Sequence, residues 1–83
     1  MSDADWYLQL KLKPKQLRLL VALDDFGNLK QVAEFSHVTV PAVSKALAEL
    51  EAGLGFKLFT RTVQGLRATP YGERMIRHAR TAL

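Results

Sequence analysis

The segment from Asn28 to Glu51 constrains the fold of this chain more than any other stretch, and it reads NLKQVAEFSHVTVPAVSKALAELE. A short apolar pattern of helical period ends at a polar turn over residues 36–39, and a longer one begins at Val40-Pro41. Two helices joined by about three or four residues form a helix-turn-helix, which places its second helix in the major groove of DNA. Sequence-specific DNA binding is therefore the leading hypothesis.

The composition indicates one small domain without disulfides or thiolate chemistry, because the 83 residues include no cysteine. His37 and His78 are far apart in the sequence, so no metal site is expected, and no cofactor is expected in this fragment. No apolar run approaches the roughly 20 residues that span a bilayer. Asp3 and Asp5 occupy the place of a signal peptide's positive segment, so we expect a cytoplasmic protein without membrane contact.

The net charge of +4 is unevenly distributed along the chain. From Lys57 onward there are six lysine and arginine residues and one glutamate, whereas residues 1–56 contain six basic and seven acidic residues. A basic C-terminal third is typical of a surface that binds a polyanion. A solvated, arginine-rich helix face is the alternative, and charge alone does not decide between them.

Residues 1–11 are predicted to form an N-terminal arm that is extended or frayed. Leu8, Leu10 and Leu12 alternate with polar residues, which is the period of a strand, but the segment is short and directly precedes a helix start. Trp6 and Tyr7 either stack on a partner or pack on the domain's own surface.

Capping residues mark the three helices that follow. Pro14 suits the first turn of the first helix, and Gly27 suits the left-handed conformation that ends it. Asn28 fits the N-cap of the second helix, with Gln31 completing a capping box, and Thr39 fits the N-cap of the third. The third helix places an apolar series toward the core, namely Val43, Leu47, Leu50 and Leu54.

After Gly55 the apolar period changes from helical to strand-like. Two short β-rich pieces flank the turn at residues 63–65 and predict a small hairpin with a basic stem. Thr69 and Pro70 then open a last helix, as its N-cap and first residue. The predicted fold class is mainly α with a small β-hairpin, a winged helix-turn-helix followed by a linker helix.

These motifs, in this order and spacing, give the chain a family resemblance from about Leu12 to its end. It resembles the DNA-binding domain of LysR-type bacterial transcriptional regulators. The matching motifs are Val32-Ala33, Val38-Thr39, Pro41-Ala42-Val43-Ser44, Leu50-Glu51, Leu54-Gly55, Leu58-Phe59-Thr60-Arg61 and Thr69-Pro70-x-Gly72.

The resemblance implies a division of the chain into residues 12–69, the winged helix-turn-helix, and residues 70–83, the start of a linker helix. It implies a recognition helix over residues 40–52 in the major groove and a wing over residues 57–69 on the backbone or minor groove. It also implies an antiparallel pairing of linker helices in a homodimer, bound to an inverted-repeat operator. A C-terminal effector domain, which follows in the family, is expected to be absent here.

Three positions depart from the family pattern. Val40 stands where a glutamine that reads a base is common, and it can contact a thymine methyl group but cannot hydrogen-bond a base edge. Thr39 replaces a serine and keeps the capping oxygen, while Ser36 replaces a leucine in the turn.

The resemblance assigns candidate DNA contacts residue by residue. In the recognition helix and at its start they are Thr39, Val40, Pro41, Ala42, Ser44 and Lys45, with Glu49 as a further candidate. In the wing they are Arg61, Thr62, Gln64 and Arg67. Weaker candidates for the DNA backbone are Lys30, Gln31 and His37. For Ser44 and Lys45 the alternative is an ordinary solvated helix face, and for His37 it is a surface residue beside the chain's own backbone.

The last helix carries an apolar stripe formed by Tyr71, Met75, Ala79 and Ala82. The stripe belongs either to the intramolecular core or to a dimer contact, and we favour the dimer because paired half-sites require a two-fold protein.

Three rival functions remain at this stage. A winged helix can serve protein–protein contact, although Lys45, Arg61 and Arg67 argue against it. Catalysis is not expected, since no phosphate loop, paired metal ligands or supported Ser-His-Asp set is present. A sequence-independent architectural DNA binder stays open because of Val40. The expected partners are double-stranded operator DNA, a second copy of the chain and, through the full-length protein, RNA polymerase. We expect a bacterial cytoplasmic protein, associated with the nucleoid when bound.

Overall fold

The computed structural model describes residues 12–83, so the predicted arm at residues 1–11 lies outside the described part. Helices α1 (Pro14–Phe26), α2 (Leu29–Ser36) and α3 (Val40–Leu54) are followed by strands β1 (Phe59–Thr62) and β2 (Gly65–Ala68) and by helix α4 (Pro70–Ala82). The strands pair antiparallel, with Phe59 opposite Ala68 and Thr62 opposite Gly65. This architecture confirms the predicted winged helix-turn-helix followed by a further helix.

The helix starts are fixed by the capping residues that the sequence predicted. Asn28 Oδ1 accepts from the Gln31 N–H at 2.8 Å, and Thr39 Oγ1 accepts from the Ala42 N–H at 3.2 Å. Thr69 Oγ1 accepts from the N–H of residue 72 at 3.0 Å. Each bond satisfies a backbone donor that the first turn of a helix leaves unpaired. Thr39 therefore sets where the recognition helix begins.

The capping box predicted at Asn28 and Gln31 is only half formed. Among the described residues, the Gln31 side chain makes no return bond to the Asn28 N–H. At the start of α1, the Lys13 N–H donates to Gln16 Oε1 at 3.0 Å, but the lysine side chain has no acceptor for a return bond. Gly27 adopts the left-handed conformation predicted for it, with φ 73°.

The core lies where α1, α3, α4 and the start of the hairpin meet. Leu20, Leu23 and Leu58 have no exposed surface, and Val43, Leu47 and Leu50 of the predicted α3 series are also buried. Leu54, the last of that series, is half-buried and packs against the core. Phe35, an apolar position of α2, is 68% exposed, and its ring lies 5.3 Å from that of Phe26.

The predicted dimer stripe on α4 is only partly at the surface. Met75 and Ala79 have no exposed surface, because they pack in the chain's own core, where α4 lies against α1. A side chain without exposed surface cannot contact a second copy, so the dimer assignment is wrong for these two residues and the intramolecular alternative holds for them. Tyr71 and Ala82, in contrast, are exposed.

The C-terminal half of α4 is tied to the end of α1 by an ion-pair cluster. Arg80 Nη2 lies 2.7 Å from Asp24 Oδ2 and 2.6 Å from Asp25 Oδ1. Hydrogen bonds to Asp25 and Asp24 raise the pKa of the Arg80 guanidinium above its ordinary value. The two carboxylates therefore hold the guanidinium more firmly in its charged form than a free arginine side chain. It offsets two carboxylates that lie at the unfavourable C-terminal end of the α1 dipole.

The N-terminal half of α4 approaches the backbone of the segment before β1 very closely. A Cβ atom added to Gly72 would overlap the Leu58 carbonyl oxygen, which also accepts from the Thr69 N–H at 2.9 Å. Thr69 Oγ1 donates to the Lys57 carbonyl oxygen at 2.7 Å. Only glycine at position 72 permits this contact between α4 and the segment before β1.

None of the helices over residues 12–83 has both the length and the apolar character that a membrane crossing requires.

The close contact at Gly72 predicts a large loss of stability on adding one methyl group. Gly72→Ala should lower the free energy of unfolding by about 1–3 kcal/mol or more, because backbone must move to admit the Cβ. Gly53→Ala is the matched control, since its Cβ would point into open space within α3 and should stabilise by about 0.5–1 kcal/mol. Urea unfolding of both variants checks this, and a Gly72→Ala variant as stable as the parent would contradict it.

Candidate nucleic-acid interface

The start of α3 presents the predicted recognition residues on one exposed surface. Thr39, Val40, Pro41 and Ala42 are all exposed, and Val40 keeps 41% of its surface open to solvent. The positive end of the helix dipole lies here and favours the approach of phosphate groups. An apolar Val40 at this place can contact a thymine methyl group without losing a hydrogen bond.

One turn further along α3, Lys45 and Glu49 form an ion pair on the outer face. Lys45 Nζ lies 3.9 Å from Glu49 Oε1, and the two side chains are 77% and 68% exposed. A surface pair of this kind contributes about 0–1 kcal/mol. Exchanging Glu49 for a phosphate or a base edge therefore costs Lys45 little.

The wing and α3 meet at a hydrogen bond between two predicted site residues. Arg61 Nη2 in β1 donates to Ser44 Oγ in α3 at 3.0 Å, across 17 positions of the sequence. Arg61 is exposed and Ser44 is half-buried. The contact brings a cation of the wing to the outer side of α3, so helix and wing present one continuous surface.

A shallow cleft of about 320 Å³ lies beside this contact, between α3 and the hairpin. Its walls are formed by both elements and by the segment between them. The lining residues are Ser44, Leu47, Ala48, Glu51, Lys57, Phe59, Thr60, Arg61 and Leu66.

The two arginines of the wing lie on opposite faces of the hairpin. Arg61 pairs with Leu66 and Thr60 pairs with Arg67, and neighbouring pairs of a ladder point to opposite faces. Arg61 therefore faces α3, whereas Arg67 is exposed on the other side. The structure brings Arg61 to the recognition helix and leaves Arg67 away from it.

The tip of the wing is shaped by Thr62. Its Oγ1 donates to the Gly65 carbonyl oxygen at 2.9 Å and accepts from the Gln64 N–H at 3.2 Å. Thr62 and Gln64 are both exposed, and Val63 beside them is fully exposed. These predicted contact residues thus lie at the outer end of the hairpin.

The wing is also fixed to the loop between α1 and α2. The Leu66 N–H donates to the Gly27 carbonyl oxygen at 2.8 Å, and a Cβ atom added to Gly65 would overlap that same oxygen. Gly65 has φ 127°, a conformation that disfavours other residues. The sequence indicated Gly65 only as a turn residue and gave no sign of its second contact.

The three weaker candidates lie at both ends of α2. Lys30 and Gln31 are exposed at its start, and His37 is exposed at its end. His37 adopts the left-handed conformation with φ 58° and ψ 41°, and the following Val38 N–H donates to the Ala33 carbonyl oxygen at 3.0 Å. His37 thus forms the C-cap of α2, and its contact with the DNA backbone stays a separate prediction.

Glu51 is a residue of this region that the sequence placed only within a motif. It is 8% exposed, and Oε2 accepts from the Leu58 N–H at 2.6 Å and from the Phe59 N–H at 3.2 Å. A carboxylate near the C-terminal end of a helix opposes the helix dipole, and that was the available signal. Over residues 12–83, no group of histidine, cysteine, aspartate and glutamate side chains could hold a metal ion.

The fold and this surface define a winged helix-turn-helix, and comparison with known proteins identifies its family. Residues 14–73 match the family model described as bacterial regulatory helix-turn-helix protein, lysR family. The chain belongs to this family and comprises its helix-turn-helix DNA-binding domain.

Curated relatives agree with this assignment. The chain is 46% identical over 80 residues to the HTH-type transcriptional regulator GbpR of Azospirillum brasilense, across 96% of this chain and 23% of that protein. It is 38% identical over 69 residues to the nitrogen assimilation regulatory protein nac of Klebsiella aerogenes, across 83% of this chain and 23% of that protein. The chain thus spans about a quarter of the length of these relatives.

Solved structures show the same fold. The CbnR DNA-binding domain in complex with DNA superposes with a TM-score of 0.78 at 30% identity, over 86% of this chain and 82% of that one. The LysR family transcriptional regulator CbnR gives 0.79 at 30% identity, over 86% of this chain and 25% of that one.

The backbone conformation of His37 predicts a stabilising substitution. His37→Gly should raise the free energy of unfolding by about 0.5–1 kcal/mol, because glycine adopts positive φ without the steric cost of a side chain. Gly55, in the same conformation at the end of α3 with φ 84°, supplies the opposite control. Gly55→Ala should destabilise by a similar amount in thermal unfolding, and a loss of stability in His37→Gly would contradict the prediction.

Proposed function

We propose that this domain binds specific double-stranded DNA with the first half of α3 in the major groove and the hairpin against the adjoining backbone or minor groove. The observation that carries the proposal is the 3.0 Å hydrogen bond between Arg61 and Ser44. This bond joins the wing and the recognition helix into one surface, which can contact the major groove and the adjoining backbone or minor groove together. The DNA complex of the CbnR domain, a structural relative, supports DNA binding by a domain of this fold.

The exposed residues divide into two groups by what they can recognise. Val40, Ser44 and Lys45 project from the helix that enters the groove, where a thymine methyl group, a base edge or guanine O6 and N7 are within reach. Arg61, Arg67 and the backbone at the start of α2 suit phosphate groups, which position the protein without reading sequence. Specificity then depends mainly on α3.

We further propose that the protein acts as a homodimer on an inverted repeat, because the two-fold symmetry of such an operator matches that of a dimer. With Met75 and Ala79 buried, the contact is assigned to the exposed part of α4, including Tyr71 and Ala82. For the full-length protein we propose a non-enzymatic bacterial regulator of the cytoplasm that contacts RNA polymerase. The regulators to which the chain is related support the regulatory role.

Selection from a pool of random duplexes at two salt concentrations tests the function directly. An enriched inverted-repeat sequence whose affinity falls with salt is the expected result. Salt-sensitive binding without an enriched sequence would replace the proposal by architectural binding, and an absence of salt-sensitive binding would favour a protein–protein module.

Arg61 is expected to contribute equally to the binding affinity for all DNA sequences. Arg61→Ala should weaken binding to the selected site and to a scrambled duplex by the same factor, and should reduce the slope of log K against log salt by about one. Arg77 is an exposed residue of α4 that lies outside the proposed surface. Arg77→Ala removes the same charge and should leave the slope of log K against log salt unchanged. Weakening confined to the selected site would move Arg61 to a base contact.

Substitutions on α4 separate the core from the dimer contact. Met75→Glu should unfold the chain or lower its melting temperature sharply, because it buries an unpaired charge in the core. Ala82→Glu should keep the melting temperature and lower the dimer fraction in analytical ultracentrifugation. An unchanged dimer fraction for Ala82→Glu would move the contact elsewhere on the surface.

A further inference from the structure

Glu51 is the one buried charged residue within residues 12–83. It lies in the last turn of α3, where the helix dipole disfavours a carboxylate, and burial adds a desolvation cost. A charge in such a place persists only when strong hydrogen bonds compensate for both effects. The groups that supply those bonds therefore indicate what the residue does.

Two backbone amides supply the compensation. Glu51 Oε2 accepts from the Leu58 N–H at 2.6 Å and from the Phe59 N–H at 3.2 Å, while Lys57 Nζ lies 3.7 Å from Oε1. Leu58 is fully buried and Phe59 is 6% exposed, so water does not compete for these amides. The Lys57 side chain is 78% exposed and its contribution is correspondingly screened. Short bonds to an ionised acceptor are the stronger kind.

These amides belong to the start of the strand that carries Arg61. Phe59 is the first residue of β1, and Arg61 follows two positions later on the same face of the strand. Ser44 and Glu51 are seven positions apart in α3, which is about two helical turns, so they lie on the same side of the helix. The wing is thus fastened to one side of α3 at two points, buried at Glu51 and exposed at Ser44.

The two fastenings differ in strength. The bond from Arg61 to Ser44 is exposed, and a phosphate can replace Ser44 as the acceptor. The Glu51 bonds are buried and are not exposed to ligand. Binding of DNA can therefore alter the outer fastening while the inner one keeps β1 at its distance from α3.

We infer that Glu51 is a positioning residue for DNA binding, which fixes the wing relative to the recognition helix and so places Arg61 without touching DNA itself. The inference rests on the proposed function, since it assumes that Arg61 contacts the duplex. It adds that the wing's contribution to affinity depends on a buried side chain of the recognition helix that does not itself contact DNA.

Two conservative variants separate the effect of side-chain length at position 51 from the effect of its charge. Glu51→Gln keeps an oxygen at the same distance and removes the charge, so both amides retain an acceptor. Glu51→Asp keeps the charge but is shorter by one methylene group, so the acceptor withdraws from Leu58 and Phe59. According to the inference, the position of the acceptor oxygen determines DNA affinity more than its charge does. We therefore expect Glu51→Gln to bind DNA within about threefold of the parent and Glu51→Asp to bind roughly tenfold more weakly.

The decisive measurement is a double-mutant cycle with Arg61 on the full 83-residue chain. Affinity and salt slope are measured for the parent, Glu51→Asp, Arg61→Ala and the double variant, with thermal unfolding of each. Glu51→Asp should reduce the salt slope by about one, as Arg61→Ala does, and the double variant should bind no more weakly than Arg61→Ala alone.

Other outcomes overturn the inference. Losses that multiply in the double variant would show that Glu51 acts independently of Arg61. Loss in Glu51→Gln with normal binding by Glu51→Asp would show that charge rather than position matters. A Glu51→Asp chain that is unfolded at the assay temperature would make the residue a determinant of folding, with no separate role in binding.

The same data distinguish this inference from the proposed function. If the parent chain shows no salt-dependent DNA binding, or if Arg61→Ala binds as the parent does, the proposed function or its wing contact fails first. If the parent and Arg61→Ala behave as expected and Glu51→Asp binds normally, only the positioning role is overturned.

Discussion

The backbone of Leu58 is the point on which the arrangement of this domain depends. Its N–H donates to Glu51 of α3 and its carbonyl oxygen accepts from Thr69 at the start of α4, while its side chain has no exposed surface. Gly72 permits α4 to lie directly on that carbonyl. Because this one buried residue pairs its N–H with α3 and its carbonyl oxygen with the start of α4, the recognition helix, the wing and the last helix are set relative to each other at a single position.

Much of this could be predicted from the sequence, because the signals were local. The N-caps at Asn28, Thr39 and Thr69 and the left-handed Gly27 each act within one turn of chain, and all are confirmed. The apolar series of α3 likewise depends only on helical period. Local chemistry and periodicity are what a sequence displays directly.

What could not be predicted involves partners distant in sequence. The stripe on α4 is compatible with a core and with a dimer contact, the sequence reasoning favoured the dimer, and only the packing against α1 assigns Met75 and Ala79 to the core. Gly65 resembles any turn glycine until the Gly27 carbonyl is seen beside it. The contact residues were placed through family resemblance, and their individual roles are still predictions, since periodicity alone does not show which exposed side chains lie on the same surface.

The ion-pair cluster at Arg80 attaches α4 to the same end of α1 that holds the wing. Arg80 forms ion pairs with Asp24 and Asp25 at the end of α1. Two residues further on, the Gly27 carbonyl oxygen accepts a hydrogen bond from the Leu66 N–H of the hairpin. The far end of α4 and the wing are therefore joined through a short, continuous series of contacts that bypasses the recognition helix. The C-terminal half of α4 and the hairpin are thus both attached to the C-terminal end of α1, independently of the recognition helix.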